Sequence, residues 1–178
     1  KKLEDIDFFQ EDMLKELDRT IEHFKKMEIE QNAKELSQEL KDLSNKQTLL
    51  KEKTKDKEVS GFEKNKLQEK IKEEFNEIQT ELSDLKSKNK ELSKPLKVET
   101  EEREKMINKS LNESLEKLSE NKMKKASEKQ EETSKGLNDL ADSMEKLSAG
   151  GKEKVEEDME SLRVLLGQLI TFSLEQEE

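Results

Sequence analysis

Apolar residues recur at alternating steps of four and three along nearly the whole chain, and only one proline, Pro95, interrupts them. That spacing is the seam of an α-helical coiled coil, since it keeps one narrow stripe on one side of a slightly underwound helix. Strands need a period of two, and no stretch carries it. Ile29, Ala33, Leu36, Leu40, Leu43, Gln47 and Leu50 form the most regular run. Ile6, Phe9, Met13, Leu17, Ile21 and Phe24 form a looser stripe before it. A narrow seam also suits the composition, because 45% of residues are charged and only 29% are hydrophobic, too few for a conventional globular core. The fold class read from this pattern is all-α, an elongated set of antiparallel coiled-coil hairpins forming a bundle of four long helices.

Breaks in the seams set the organisation. A charged run from Lys51 to Glu58 ends at Ser60-Gly61 and reads as a turn. The next seam is Leu67, Ile71, Phe75, Ile78, Leu82, Leu85, Asn89 and Leu92, halted by Ser93-Lys94-Pro95. A third begins after Thr100, an N-cap type with Glu101 and Glu102 behind it, and carries Ile107, Leu111, Leu115 and Leu118. Past a lysine-rich patch around Met123 it resumes as Ala126, Gln130, Thr133, Leu137, Leu140, Met144 and Leu147. Ala149-Gly150-Gly151 ends it, and Val155, Met159, Leu162, Leu166 and Leu169 mark the last helix. The expected layout is a first hairpin over 1–94 (helices 5–56 and 62–93), a linker at 95–100, and a second hairpin over 101–178 (helices 101–148 and 152–176). A continuous helix over 101–148 would be roughly 70 Å long.

Hairpin geometry then predicts opposed residues. A turn at 51–61 sets Leu43 against Ile78, Leu40 against Leu82, Leu36 against Leu85 and Ala33 against Asn89, with Gln47 facing Glu74 and Phe75. A turn at Gly150-Gly151 likewise sets Leu147 against Val155 and Leu140 against Leu162. Polar residues at seam positions commonly fix register at a cost in stability, which singles out Gln47 and Asn89; a merely wet seam is the plainer reading. The first helix outruns the second, and its overhang is expected to meet the third and fourth helices through Phe8, Phe9, Phe24 and Phe172.

Chemistry-bearing motifs are scarce. His23 is the one histidine and there is no cysteine, so histidine or thiolate metal sites lack ligands and no cofactor is indicated. Carboxylate pairs such as Glu73-Glu74 read as solvated helix faces with ion pairs one turn apart. Gly150-Gly151 lacks the strand and lysine of a phosphate loop. Lys122-Met-Lys-Lys125 is a short basic patch that could touch an acidic surface but reads first as one solvated turn of the continuing helix. The net charge of −10 argues against nucleic acid as a partner. No apolar run is long enough to cross a bilayer. The start at Lys1, within a helical pattern, reads as a piece of something longer. The last helix differs from the rest: Leu162, Leu165, Leu166, Leu169, Ile170 and Phe172 cover much of its circumference and form a candidate docking face.

Two stretches carry a family resemblance. Asp12-Met-Leu-Lys-Glu-Leu-Asp-Arg-Thr-Ile-Glu-His-Phe-Lys-Lys-Met-Glu-Ile-Glu-Gln31 and the ending Asp158-Met-Glu-Ser-Leu-Arg-Val-Leu-Leu-Gly-Gln-Leu-Ile-Thr-Phe-Ser-Leu-Glu-Gln-Glu-Glu178 resemble a domain-of-unknown-function family of large bacterial proteins. Its members have N-terminal membrane spans, a β-rich stretch and a long charged helical region. The resemblance places this chain within that helical region, implies a bacterial envelope setting on the periplasmic side of the inner membrane, and brings no catalytic residues. The resulting expectation is a non-enzymatic spacer or protein-interaction segment. Its partners would be the rest of the parent protein or another protein, with self-association through spare apolar surface also open and membrane contact only through parts outside this segment. The rival reading is an amphipathic membrane-surface protein, against which the acidic charge, the narrow seam and the lack of tryptophan argue.

Overall fold

The computed structural model describes the backbone of residues 2–149 together with Arg163, Val164 and Gly167, and side chains from residue 14 onward. Four α-helices fill the continuous part: α1 (Lys2–Lys55), α2 (Gly61–Lys90), α3 (Glu101–Ser119) and α4 (Met123–Ala149). Helix α1 packs on α2 and α4, and α3 packs on the same two, so the four form a ring with α1 and α3 across one diagonal. Cross-helix pairs fix the directions. Gln47 with Gln68 and Glu28 with Lys88 set α2 antiparallel to α1, and Gln79 with Asn108 and Lys86 with Glu101 set α3 antiparallel to α2. Ser110 with Thr133 and Glu113 with Lys129 do so for α3 and α4, and Ser37 with Ala141 and Ser44 with Ser134 for α4 and α1. The architecture is an up-down-up-down four-helix bundle.

Local chemistry accounts for each turn. After α1, the Asp56 carboxylate accepts the Glu58 backbone N–H at 2.9 Å, closing an Asx turn. Ser60 caps α2 by accepting the Glu63 N–H at 3.1 Å. Asn89 holds the connection from α2 to α3: its Nδ2 donates to the Leu96 carbonyl at 2.7 Å, and its Oδ1 accepts the Leu96 N–H at 2.8 Å. Helix α3 starts after Thr100 as the sequence predicts, yet the Thr100 side chain makes no capping bond.

The expected helix over 101–148 is in fact two helices. The chain turns at Glu120–Lys122, where Asn121 adopts φ 57°. Lys122 N–H bonds the Lys117 carbonyl at 2.8 Å and Asn121 N–H bonds the Leu118 carbonyl at 3.0 Å, the paired bonds of a Schellman motif. Asparagine is the non-glycine residue that best tolerates the left-handed region, so the stop signal lay in Asn121 and not in the lysines beside it. Helix α4 therefore folds back on α3 and fills its seam against α1 and α3. The seam pairs expected about Gly150-Gly151 fall outside the described residues on their C-terminal side.

Register differs as well. Gln47 bonds Gln68, two seam steps, or about one heptad, nearer the turn than the expected Glu74–Phe75. Asn89 gives its bonds to Leu96 and none across the seam toward Ala33. Phe24 is 53% exposed and is no junction residue, while the side chains of Phe8, Phe9 and Phe172 lie outside the described set.

The apolar half of the core lies away from the two tight turns and contains Ile29, Ala33, Leu36, Leu40 and Leu43 with Phe75, Ile78, Leu82 and Leu85. Ile107, Leu111, Leu137, Leu140, Ala141 and Met144 complete it. Gly136 is needed there, since a Cβ at that position would come within 2.9 Å of Ile107 Cγ1. One like-charge contact works against the packing. Partial burial raises the Glu39 carboxyl above its ordinary 4.5, and the nearby carboxylates of Glu81 and Glu35 add to the shift.

Two measurements check these assignments. Asn121→Val should cost about 1–2 kcal/mol in urea unfolding, with Asn121→Gly at least as stable as the parent. A carboxyl whose folded pKa is raised contributes stability below its unfolded pKa and loses it as pH climbs through the folded one. Glu39→Gln should therefore raise the urea midpoint at pH 7, and the difference should vanish below about pH 4.

Candidate functional site

Counting strictly by heptads from the buried residues gives seams that differ from the nearest-apolar choice. In α2 the buried positions are Lys64, Gln68, Ile71, Phe75, Ile78, Leu82, Leu85 and Asn89, and in α3 they include Ile107, Leu111, Ser114 and Leu118. Leu67 and Leu115, the seam residues expected from sequence, are only half-buried. Toward the turns most buried positions are accordingly polar, with Leu50, Leu118 and Ala126 as apolar exceptions. Ala33, Leu40 and Leu82 sit in the apolar half, Gln47 sits in the polar half, and Asn89 serves the connection after α2. The proposed docking face at Leu162, Leu165, Leu166, Leu169, Ile170 and Phe172 lies outside the described residues.

At the centre of the polar half, one residue from each helix meets in a single layer. Gln47 of α1 and Gln68 of α2 exchange amide bonds at 3.1 and 2.8 Å. Ser114 of α3 donates to Gln68 Oε1 at 2.8 Å, and Gln130 of α4 donates to the same oxygen at 3.0 Å. All four side chains are fully buried. A second tier flanks the layer: Thr133 donates to Ser110 at 2.8 Å, and Ser134 links Ser44 and Thr48 at 2.8 Å each. Carboxamides and aliphatic hydroxyls do not titrate near neutral pH, so this arrangement is suited to alignment. A buried oxygen with three donors holds its partners only in one mutual register, because any slip strands them without water.

The polar interior opens at the turn end into a cleft of about 830 Å³. Its walls are Thr54 and Lys55 at the end of α1, the 56–60 turn, Gly61 and Lys64 opening α2, and Asn121 to Glu131 around the start of α4. Lys64 is buried at 3% exposure, with its Nζ donating to the Asp56 carbonyl at 2.6 Å. Thr54 is 1% exposed and its hydroxyl has no partner. Thr54, Lys64, Gln68 and Ser114 were not singled out from the sequence. The signal was present in the strict heptad count, which runs from Leu50 to Thr54 and from Ile71 back through Gln68 to Lys64.

Outside the bundle, α1 carries Leu14, Leu17, Ile21, Phe24 and Met27 at 36–59% exposure. This stripe does not continue the core seam. Extending the heptad count of Ile29, Ala33, Leu36 and Leu40 toward the N-terminus lands on Lys26, Glu22, Arg19 and Lys15, all charged. The overhang therefore presents its apolar residues on a face rotated away from the bundle interior. Between α2 and α3, Lys86 bridges Glu104 at 2.7 Å and Glu101 at 3.3 Å. Burial opposes the Lys86 charge, but the two carboxylates outweigh it and raise its pKa. No group of three or more His, Asp or Glu side chains with metal-ligand geometry occurs among the described residues, and His23 is half-buried on the overhang. None of their helices is long and apolar enough to cross a membrane.

No protein-family model, curated protein or solved structure matches this chain.

The layer makes a directional prediction about stability. Gln68→Leu, which strands Gln47, Ser114 and Gln130 together, should cost about 2–4 kcal/mol in urea unfolding. The fourfold replacement Gln47→Leu, Gln68→Leu, Ser114→Ala and Gln130→Leu should recover most of that loss, because no buried polar partner is then left behind.

Proposed function

We propose that this chain is a non-enzymatic spacer and protein-docking segment, in which a four-helix bundle carries a projecting helix that offers an apolar stripe to another surface. The observation that supports this most directly is the phase break on α1. Leu14, Leu17, Ile21 and Phe24 are spaced for helix packing yet lie off the line of the bundle seam, so bundle closure leaves them exposed. Length supports the spacer role, since the 54 residues of α1 extend about 80 Å, against about 45 Å for the 30 of α2. The resemblance in residues 12–31 and 158–178 supports a place in the helical region of a membrane-anchored bacterial envelope protein, on the periplasmic side of the inner membrane. Partners on this reading are the parent protein, another protein or a second copy.

Small-angle scattering on the purified chain tests the spacer role. A rod about 80 Å long has a radius of gyration near 23 Å, whereas a compact 178-residue globule has about 16 Å. The larger value is expected, and the smaller one would overturn the reading. Flotation with phosphatidylcholine and phosphatidylglycerol vesicles tests the rival membrane-surface reading, with the chain expected to stay in the lipid-free fraction.

A further inference from the structure

We propose that the apolar stripe on the α1 overhang is covered by the last segment of the same chain, with residues 152–169 running along α1 toward its N-terminus. This rests on the docking reading above and names the occupant of that stripe.

The way α4 leaves the bundle is the first indication. Helix α4 runs antiparallel to α1, with Ser37 bonded to Ala141 and with Ser44 and Thr48 both bonded to Ser134. Its end, Ser148 and Ala149, shares a groove with Met27, Glu30 and Lys34 of α1. The chain thus reaches Ala149 beside Met27, where the exposed stripe begins, and its direction there is toward Leu14. Continued one residue for one, the α4 register brings Phe24, Ile21, Leu17 and Leu14 opposite Val155, Met159, Leu162 and Leu166. Both sets are apolar and both keep the seam spacing of three and four. The stripe changes face between Met27 and Ile29, and in the same register that level of α1 stands opposite Gly150-Gly151. A partner that follows the stripe has to step around α1 there, and a glycine pair gives its backbone that freedom.

Helix faces give the second indication. Arg163, Val164 and Gly167 are helical and exposed. Positions 162, 165, 166 and 169 fall on the opposite side of a helix through them, and all four are leucine. A return along α4, as in the hairpin expected about Gly150-Gly151, offers those leucines no apolar surface. Leu137, Leu140 and Met144 are already fully buried in the bundle, and Leu147 packs against the same core. The overhang, with Leu14, Leu17, Ile21 and Phe24 exposed, is an apolar face of matching spacing within direct reach of Ala149. A second copy offers the same leucines, but a tethered segment that starts beside its target acts at far higher effective concentration.

Disulfide trapping in the whole chain tests the register, since the protein has no cysteine of its own. Leu17→Cys with Leu162→Cys, and Ile21→Cys with Met159→Cys, should each oxidise at high dilution to a monomer crosslinked within the chain. Leu17→Cys with Val164→Cys, on the exposed side of the last segment, should close at least about tenfold more slowly. Crosslinks between chains would assign the covering segment to a second copy and overturn the proposal. Equal rates in all three pairs, or no crosslink in any, would overturn it too. Hydrogen exchange reads the same contact without cysteines. Leu162→Asp together with Leu166→Asp should speed exchange of the α1 amides over 14–27 by about tenfold or more, and leave those over 29–50 unchanged. Unchanged exchange over 14–27 would also overturn the proposal, while leaving the stripe to a different occupant. The spacer and docking reading fails separately, by a compact radius of gyration, because the overhang is part of α1 whatever lies on it.

Discussion

The left-handed backbone at Asn121 decides what the rest of the chain can do. A seam with about two apolar residues in seven cannot stabilise an isolated helix, so each helix needs neighbours on both flanks of its stripe. Without a break, residues 101–148 would form one rod reaching far past α2, with half its stripe beyond any partner. The Schellman bonds from Asn121 and Lys122 divide that length into α3 and α4, which double back and close the ring with α1 and α2. Only then do Leu40, Phe75, Leu111 and Leu137 come together in one interior.

Closure alone does not choose an alignment, because heptad seams can slip by a full repeat and still oppose apolar residues. The polar layer removes that freedom. Gln68 Oε1 takes donors from the other three helices, and each donor is buried where water cannot replace the acceptor. Exposed ion pairs such as Lys41–Glu145 and Lys46–Glu74 contribute little energy individually, and they help chiefly by disfavouring wrong neighbours. Stability and specificity are therefore separated along the bundle: the apolar half supplies the former and the turn half supplies the latter.

That division explains what was legible in the sequence. Helix class, the turn at 51–61 and the stop before Pro95 follow from spacing and breakers, and antiparallel pairing follows from short connections. Seam assignment failed where polar residues occupy heptad positions, because Leu67 and Leu115 looked like better core residues than Gln68 and Ser114. Burial in a bundle is set by helix phase before it is set by residue type, and four polar side chains joined through one shared acceptor cost less than their separate hydrophobicities imply, although Gln130 Oε1 is left without a partner. The break at Asn121 was hidden for a different reason. The stripe resumes after it with little loss of phase, so periodicity alone gives no sign that the chain has reversed.

The phase break on α1 is the converse case. There the apolar stripe does change face, between Met27 and Ile29, although the backbone runs on as one helix. A helix serving one interior has no reason to rotate its stripe, since each rotated residue forfeits burial worth about 1.5–3 kcal/mol. Keeping Leu14, Leu17, Ile21 and Phe24 on a second face is physically economical only if a second surface covers them. On the proposed docking reading, helix α1 serves both the bundle interior and a second surface.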